Sequence, residues 1–214
     1  MCIRDRGQAM QAELFTDEDL LALAAPLPQS GKVERSSLES AYRCIDYRAF
    51  ADSRERLFVI QGGERMDFLD AIRLGTIATG KTVRLFVCTA FLNREGADAF
   101  CEMTARGFVE SVEFLLGWNL LKSKEAATVA HLRRVFKTAG LTQPRIHFAR
   151  HHSKFVIAAD CKTGLPLWAI ISSANINENR RTENYLISAS PTTARAYLDF
   201  FHAHLYIRAE GSQQ

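Results

Sequence analysis

With 214 residues, 47% of them apolar and 24% charged, the chain is long enough for one domain with a real core and too apolar for a disordered one. A net charge of +3 is ordinary for a soluble protein, and no apolar run reaches the ~18 residues that a membrane-spanning helix needs. Five cysteines with no C-x-x-C pair argue against a disulfide frame or a zinc site, and for free thiols in a reducing, cytoplasmic setting.

In chain order, Met1–Arg6 look like the translation of a transposon-end adapter used in sequencing libraries, so residues 1–6 are set aside as an artefact and the native start is left open. Residues 7–53 read as a helical lead-in. Thr16-Asp17-Glu18-Asp19 ahead of Leu20-Leu21-Ala22-Leu23 resembles a capping box with an acidic first turn. Pro26 and Pro28 end that segment, and Ser37 to Phe50 fits a second short helix. The region reads as a packing arm. Leu57-Phe58-Val59-Ile60 is a buried strand closed by Gly62-Gly63, and Phe68, Leu69 and Ile72 then recur at helical spacing. Val83 to Cys88 is a second strand, followed by a helical run through Ala97, Phe100, Cys101 and Met103. Val109 to Leu116 is a third strand. Ser123 to Thr138 is a helix with Val129, Leu132, Val135 and Phe136 inward and Gly140 as its stop. Ile146-His147-Phe148 leads into two further strands, and a last helix, Thr193 to Leu205, puts Tyr197, Leu198, Phe201 and Leu205 on one face. Strands alternating with helices predict an α/β fold, a mixed β-sheet flanked by helices.

Gly75–Thr82 matches the pattern G-x-x-x-x-G-K-[ST] in full. A P-loop follows a strand and opens a helix, because the helix N-terminus must face the phosphates. Here the order is reversed, so the glycines read as a helix stop and a turn. From Ala126 to Ala159 there is no Asp or Glu, while Arg133, Arg134, Lys137, Arg145, Arg150 and Lys154 all fall inside. Such a stretch suits nucleic acid, or is simply a set of solvated cations. His202 and His204, two apart on a helix, face different ways, and no metal site is expected.

The chemistry concentrates after Arg150. Phe155–Ala159 and Leu167–Ile171 read as strands joined by a turn at Lys162-Thr163-Gly164. The hairpin brings His152 and Lys154, and beyond the second strand Ser173 and Asn175, to the ends of two adjacent strands. An ammonium, a hydroxyl and a carboxamide suit a phosphate, with the imidazole as nucleophile or proton carrier. His151, facing the other way, reads as a supporting or surface residue. Asn177, Arg180 and Arg181 follow, and either guanidinium could clamp a neighbouring phosphate or merely end a surface loop.

His152-x-Lys154 followed by Ser173-x-Asn175 resembles the HxK…(G/S)SxN signature of the phospholipase D superfamily. The likeness runs roughly from Arg56 to Ile207 and sets a phospholipase D-like half-domain at 54–208, with 209–214 as a tail. The run Ser173 to Arg181 with Glu183 looks most like small, phage-type, nuclease-like members with a single motif. Three features differ from the family pattern. Ala159 stands where the motif has Asp, with Asp160 one residue later; Ser172 replaces a glycine; and the gap from Lys154 to Ser173 is longer.

The resemblance implies phosphodiester cleavage through a phosphohistidine on His152, with no cofactor and no divalent metal. It implies Lys154, Ser173 and Asn175 on the non-bridging oxygens, Glu183 steadying His152, and a homodimer that joins two single motifs. Three readings stay open. One is a nuclease acting on nucleic acid, DNA rather than RNA. Another is a nucleic-acid-binding protein of the same fold with weakened catalysis. The third, a phospholipase, is disfavoured because no amphipathic or apolar segment for a membrane is visible.

Overall fold

The computed structural model describes residues 45, 47–51, 55–60, 68–121, 126–176 and 183–210. The adapter-like start and nearly all of the expected lead-in lie outside the described residues; within the lead-in, Tyr47–Phe50 form a single 3-10 turn. The described strands are β1 (Glu55–Ile60), β2 (Val83–Thr89), β3 (Val109–Gly117), β4 (Arg145–Ala149), β5 (Phe155–Asp160), β6 (Pro166–Ser172) and β7 (Glu183–Ser188). They make one mixed sheet in the order β1-β7-β6-β5-β2-β3-β4. β2, β3 and β4 run parallel, and the other neighbours pair antiparallel. Parallel neighbours need a crossover, and α2 (Arg94–Ala105) and α3 (Ala126–Thr138) supply it after β2 and β3. α1 (Phe68–Ala78) precedes β2, and α4 (Pro191–Glu210) ends the described chain.

Strand alternation decides which layer each residue joins. Val83, Leu85 and Val87 of β2 enter one buried cluster with Ile72 and Leu74 of α1, Phe100 and Met103 of α2, and Leu132 and Phe136 of α3. Cys88 points to the opposite face with Phe155, Ile157 and Leu115, where Ala194, Leu198 and Phe201 of α4 close a second cluster. The sheet is therefore sandwiched between helices, as the alternation of strands and helices predicts. Each fully buried large side chain contributes about 1.5–3 kcal/mol relative to exposure, so both faces are held firmly. Among the described residues no helix is long and apolar enough to cross a membrane.

The P-loop-like stretch is used for packing. Gly75 does not stop a helix; it lies within α1, where a Cβ would come 2.5 Å from Phe50 Cε1. The Phe50 ring is itself wedged edge-on against Trp168 (centroids 5.3 Å apart), so it has little room to yield. Thr79 Oγ1 accepts a hydrogen bond from the Trp168 indole at 2.8 Å, and Gly80 takes φ 62° to turn the chain into β2. A helix thus leads into a strand here, the reverse of the order that phosphate binding requires.

β7 is the element the hydrophobic pattern does not announce. Its apolar signal is a two-residue alternation, with Tyr185 and Ile187 buried and Asn184 exposed, flanked by polar ends. Pairing on both sides, to β1 and β6, makes it a strand.

Candidate active site

The topology gathers the expected residues at one edge of the sheet. Parallel β2, β3 and β4 end there, antiparallel β5 and β7 begin there, and β6 ends there. Carboxyl ends of parallel strands are where open α/β sheets bind ligands. His152 and Lys154 sit just before β5, Ser173 and Asn175 just after β6, and Glu183 opens β7 opposite Ile60. Asn177, Arg180 and Arg181 lie outside the described residues, as does the side chain of Glu183.

His152 and Lys154 touch. The Lys154 ammonium donates to His152 Nδ1 at 3.2 Å and to the His152 carbonyl at 3.1 Å. Lys154 is only 7% exposed, whereas His152 is open to solvent. A lysine is almost never so buried unless its charge is matched by partners. An ammonium carries donors only, so Nδ1 accepts here and the ring proton rests on Nε2. A nucleophilic lone pair on Nε2 would require the reverse, with the proton on Nδ1.

The chain after β6 is tied at both ends. Lys154 O accepts from Ser172 N at 2.9 Å, which continues the β5–β6 pairing up to the site. Ser172 Oγ accepts from Ala174 N at 2.9 Å and bends the chain. Ser173 Oγ then accepts from Asn184 N at 3.0 Å, and Ser173 N donates to Asn184 O at 3.2 Å, which ties the bend to β7. Ile176 bridges Leu92 beyond β2, and Asn93 N donates to Ile176 O at 3.3 Å. Since β5 separates β6 from β2 in the sheet, the segment from Ser173 to Ile176 crosses the end of β5, where Lys154 stands. Asn175 lies on that crossing, and its Oδ1 is buried with no hydrogen-bond partner among the described residues. Buried acceptors of this kind are rare, because each costs about 1–3 kcal/mol.

Sequence reasoning missed the walls of the site. A hollow of about 470 Å³ beside α4 is lined by His152, Lys154 and Ser172 together with Phe155, Tyr197 and Phe200. The alternation of α4 marks its buried face through Leu198 and Phe201 but gives no hint that Phe200 lines the same hollow as His152. On the same α4-facing side as Phe155, the half-buried His151 meets Cys88, whose Sγ lies 3.5 Å from Nδ1. Burial pushes the Cys88 thiol up to about 12, and burial likewise lowers the pKa of His151. The Cys88 thiol is thus held protonated and offers no thiolate nucleophile.

Asp160 stands apart from the chemistry. The β5–β6 register shifts between Ala158 and Ala159, but the extra residue, Leu167, belongs to β6 and leaves the alternation of β5 unchanged. Asp160 therefore stays at the far end of β5, six residues or ~20 Å from Lys154. There its carboxylate accepts from Lys162 N (2.8 Å) and Thr163 N (3.0 Å) and faces Lys81 at 3.5 Å. The basic stretch also finds acids from its neighbours: His131 donates to Asp98 at 2.6 Å, and His147 donates to Glu113 at 2.9 Å. Arg133, Lys137 and Arg150 remain exposed. His202 meets Phe86 and Phe201 while His204 meets Phe200, so the two histidines do face apart.

No protein-family model and no curated protein matches the chain. Solved structures do. A polyphosphate kinase from Porphyromonas gingivalis superimposes with a TM-score of 0.52 at 13% identity over 71% of this chain, which spans about a quarter (26%) of that protein. NucT from Helicobacter pylori gives 0.50 at 16% identity, covering 72% of this chain and 96% of its own. A phospholipase D family member, Nuc from Salmonella typhimurium, gives 0.48 at 14% identity, with 72% and 95% covered.

Proposed function

We propose, on the premise that this chain has the α/β phospholipase D-like fold, that it is a metal-independent phosphodiesterase acting on nucleic acid, DNA rather than RNA. The observation that carries this reading is the contact between a buried ammonium and an exposed imidazole at the edge where the parallel strands end. In the proposed reaction, His152 Nε2 forms a bond to phosphorus as the bond to the leaving oxygen breaks. The leaving oxygen takes a proton from the His152 of a second copy, and water then hydrolyses the phosphohistidine. Glu183 accepts from Nδ1 while Nε2 attacks. Lys154, Ser173 and Asn175 face the non-bridging oxygens as charge develops, and Arg180, Arg181 and Asn177 contact flanking phosphate. The exposed Arg133, Lys137 and Arg150 favour a polyanion as substrate.

Plasmid and oligonucleotide cleavage in EDTA, with His152→Ala as control, tests this reading. Removal of a nucleophile lowers the rate by more than about a hundredfold; a variant within tenfold of the parent overturns the assignment. Light scattering after size exclusion reports the dimer, and a purely monomeric active species removes the second histidine from the scheme. A second reading, a nucleic-acid-binding protein with weakened catalysis, is favoured by one observation. The Lys154 ammonium sits on Nδ1 and holds the ring in the tautomer unsuited to attack. Binding without any phosphohistidine or cleavage selects it.

A further inference from the structure

We propose that the hollow beside His152 receives a nucleobase, stacked on Phe200, so that the protein selects single-stranded over duplex nucleic acid. The inference rests on the phosphodiesterase reading for the phosphate and adds the strandedness of the substrate.

The lining of the hollow mixes polar residues, His152, Lys154 and Ser172, with aromatic ones, Phe155, Tyr197 and Phe200. At about 470 Å³ it falls in the range of clefts that hold small ligands, roughly 300–1,000 Å³. Three large apolar side chains among the described residues are exposed, and Phe200, at 39%, is the one that borders this site. Leu165 lies in the β5–β6 turn at the far end of the sheet, and Leu57 lies on the edge strand β1.

Phe200 is also held in place. Phe155 meets it edge-on at 5.8 Å, and the His204 ring lies against it with centroids 4.1 Å apart at 38°. His204 Nδ1 donates to the Phe200 carbonyl at 2.9 Å and fixes that second ring. An exposed aromatic that is already ordered loses little freedom when a flat partner covers it. The pairing of a cation for phosphate with a fixed aromatic face for a base is the chemistry of sequence-tolerant single-strand binding. Duplex bases are stacked inside the helix and cannot reach such a face without being flipped out.

The test is fluorescence anisotropy in EDTA, on a His152→Ala background so that the nucleic acid persists. Three probes are compared: oligodeoxythymidylate, the same backbone with abasic residues, and duplex. Adding Phe200→Ala should weaken oligodeoxythymidylate binding about 5- to 150-fold, the equivalent of roughly 1–3 kcal/mol at 1.4 kcal/mol per tenfold. Phe200→Trp should restore it. The abasic strand should bind more weakly than thymidylate and be indifferent to Phe200→Ala. If Phe200→Ala and Phe200→Trp both bind thymidylate as the parent does, or if the loss is equal on the abasic strand, the stacking site is wrong while the phosphodiesterase reading stands. If no nucleic acid of any form binds, both fall together.

Discussion

Replacement of Lys154 by methionine separates function from folding at this site. The ammonium is 7% exposed and makes hydrogen bonds of 3.2 and 3.1 Å to the His152 ring and carbonyl. Hydrogen bonds to a charged group contribute about 1.5–3 kcal/mol each. Against them stands the cost of burying the charge, several kcal/mol for an ion in a protein interior. The two are of similar size, so an apolar side chain of matching length should leave stability within about 1–2 kcal/mol, on the favourable side as readily as the unfavourable. Catalysis responds otherwise. Removing one group that stabilises developing negative charge costs about 10²–10³-fold, or roughly 2.7–4 kcal/mol. Lys154→Met should therefore show a urea midpoint close to the parent and a cleavage rate in EDTA lowered by two to three orders of magnitude. Lys154→Ala adds a cavity and loses stability as well. A Lys154→Met protein that unfolds about 3 kcal/mol more easily but cleaves at the parental rate refutes the reasoning, because the ammonium would then be serving the fold.

Asp160→Ala should lower the melting temperature, since it frees the Lys162 and Thr163 amides in the β5–β6 turn, and should leave the cleavage rate within about twofold because the residue lies ~20 Å from Lys154. Gly75→Ala should destabilise by up to about 2 kcal/mol in chemical denaturation, the crowding of Phe50 outweighing the better helix former; calorimetry with ATP should show no binding to the parent. His151 has its folded pKa depressed below the usual 6.5, mainly by burial. The unfolded chain then takes up the proton first, so stability should fall as pH drops below 6.5, and His151→Phe should flatten that slope in urea midpoints measured across the range.

Much of this arrangement is legible in the sequence because it follows from local rules. The β5–β6 hairpin shows as two apolar runs around a Gly164 turn, and strand pairing then places Lys154 against Ser172 without further information. The rejection of the P-loop needs only the order of helix and strand. The remainder depends on non-local contacts. β7 is too short and too polar at its ends to be read by period, and exists because β1 and β6 pair with it. Phe200 differs from the buried Phe201 by one helical position, about 100° of rotation, and only the docking of α4 decides which of them lines the hollow with His152. The role of Asp160 turned on which strand carries the extra residue at the register shift, a matter that spacing within one strand cannot decide.

The doubly anchored crossing between Ser173 and Ile176 has a consequence for how such a site evolves and behaves. A rim fastened to β7 at one end and to the start of α2 at the other is poorly placed to close like a flap. In the proposed reaction the phosphate would therefore meet a mould that is already set, and recognition would rest on shape rather than on induced adjustment.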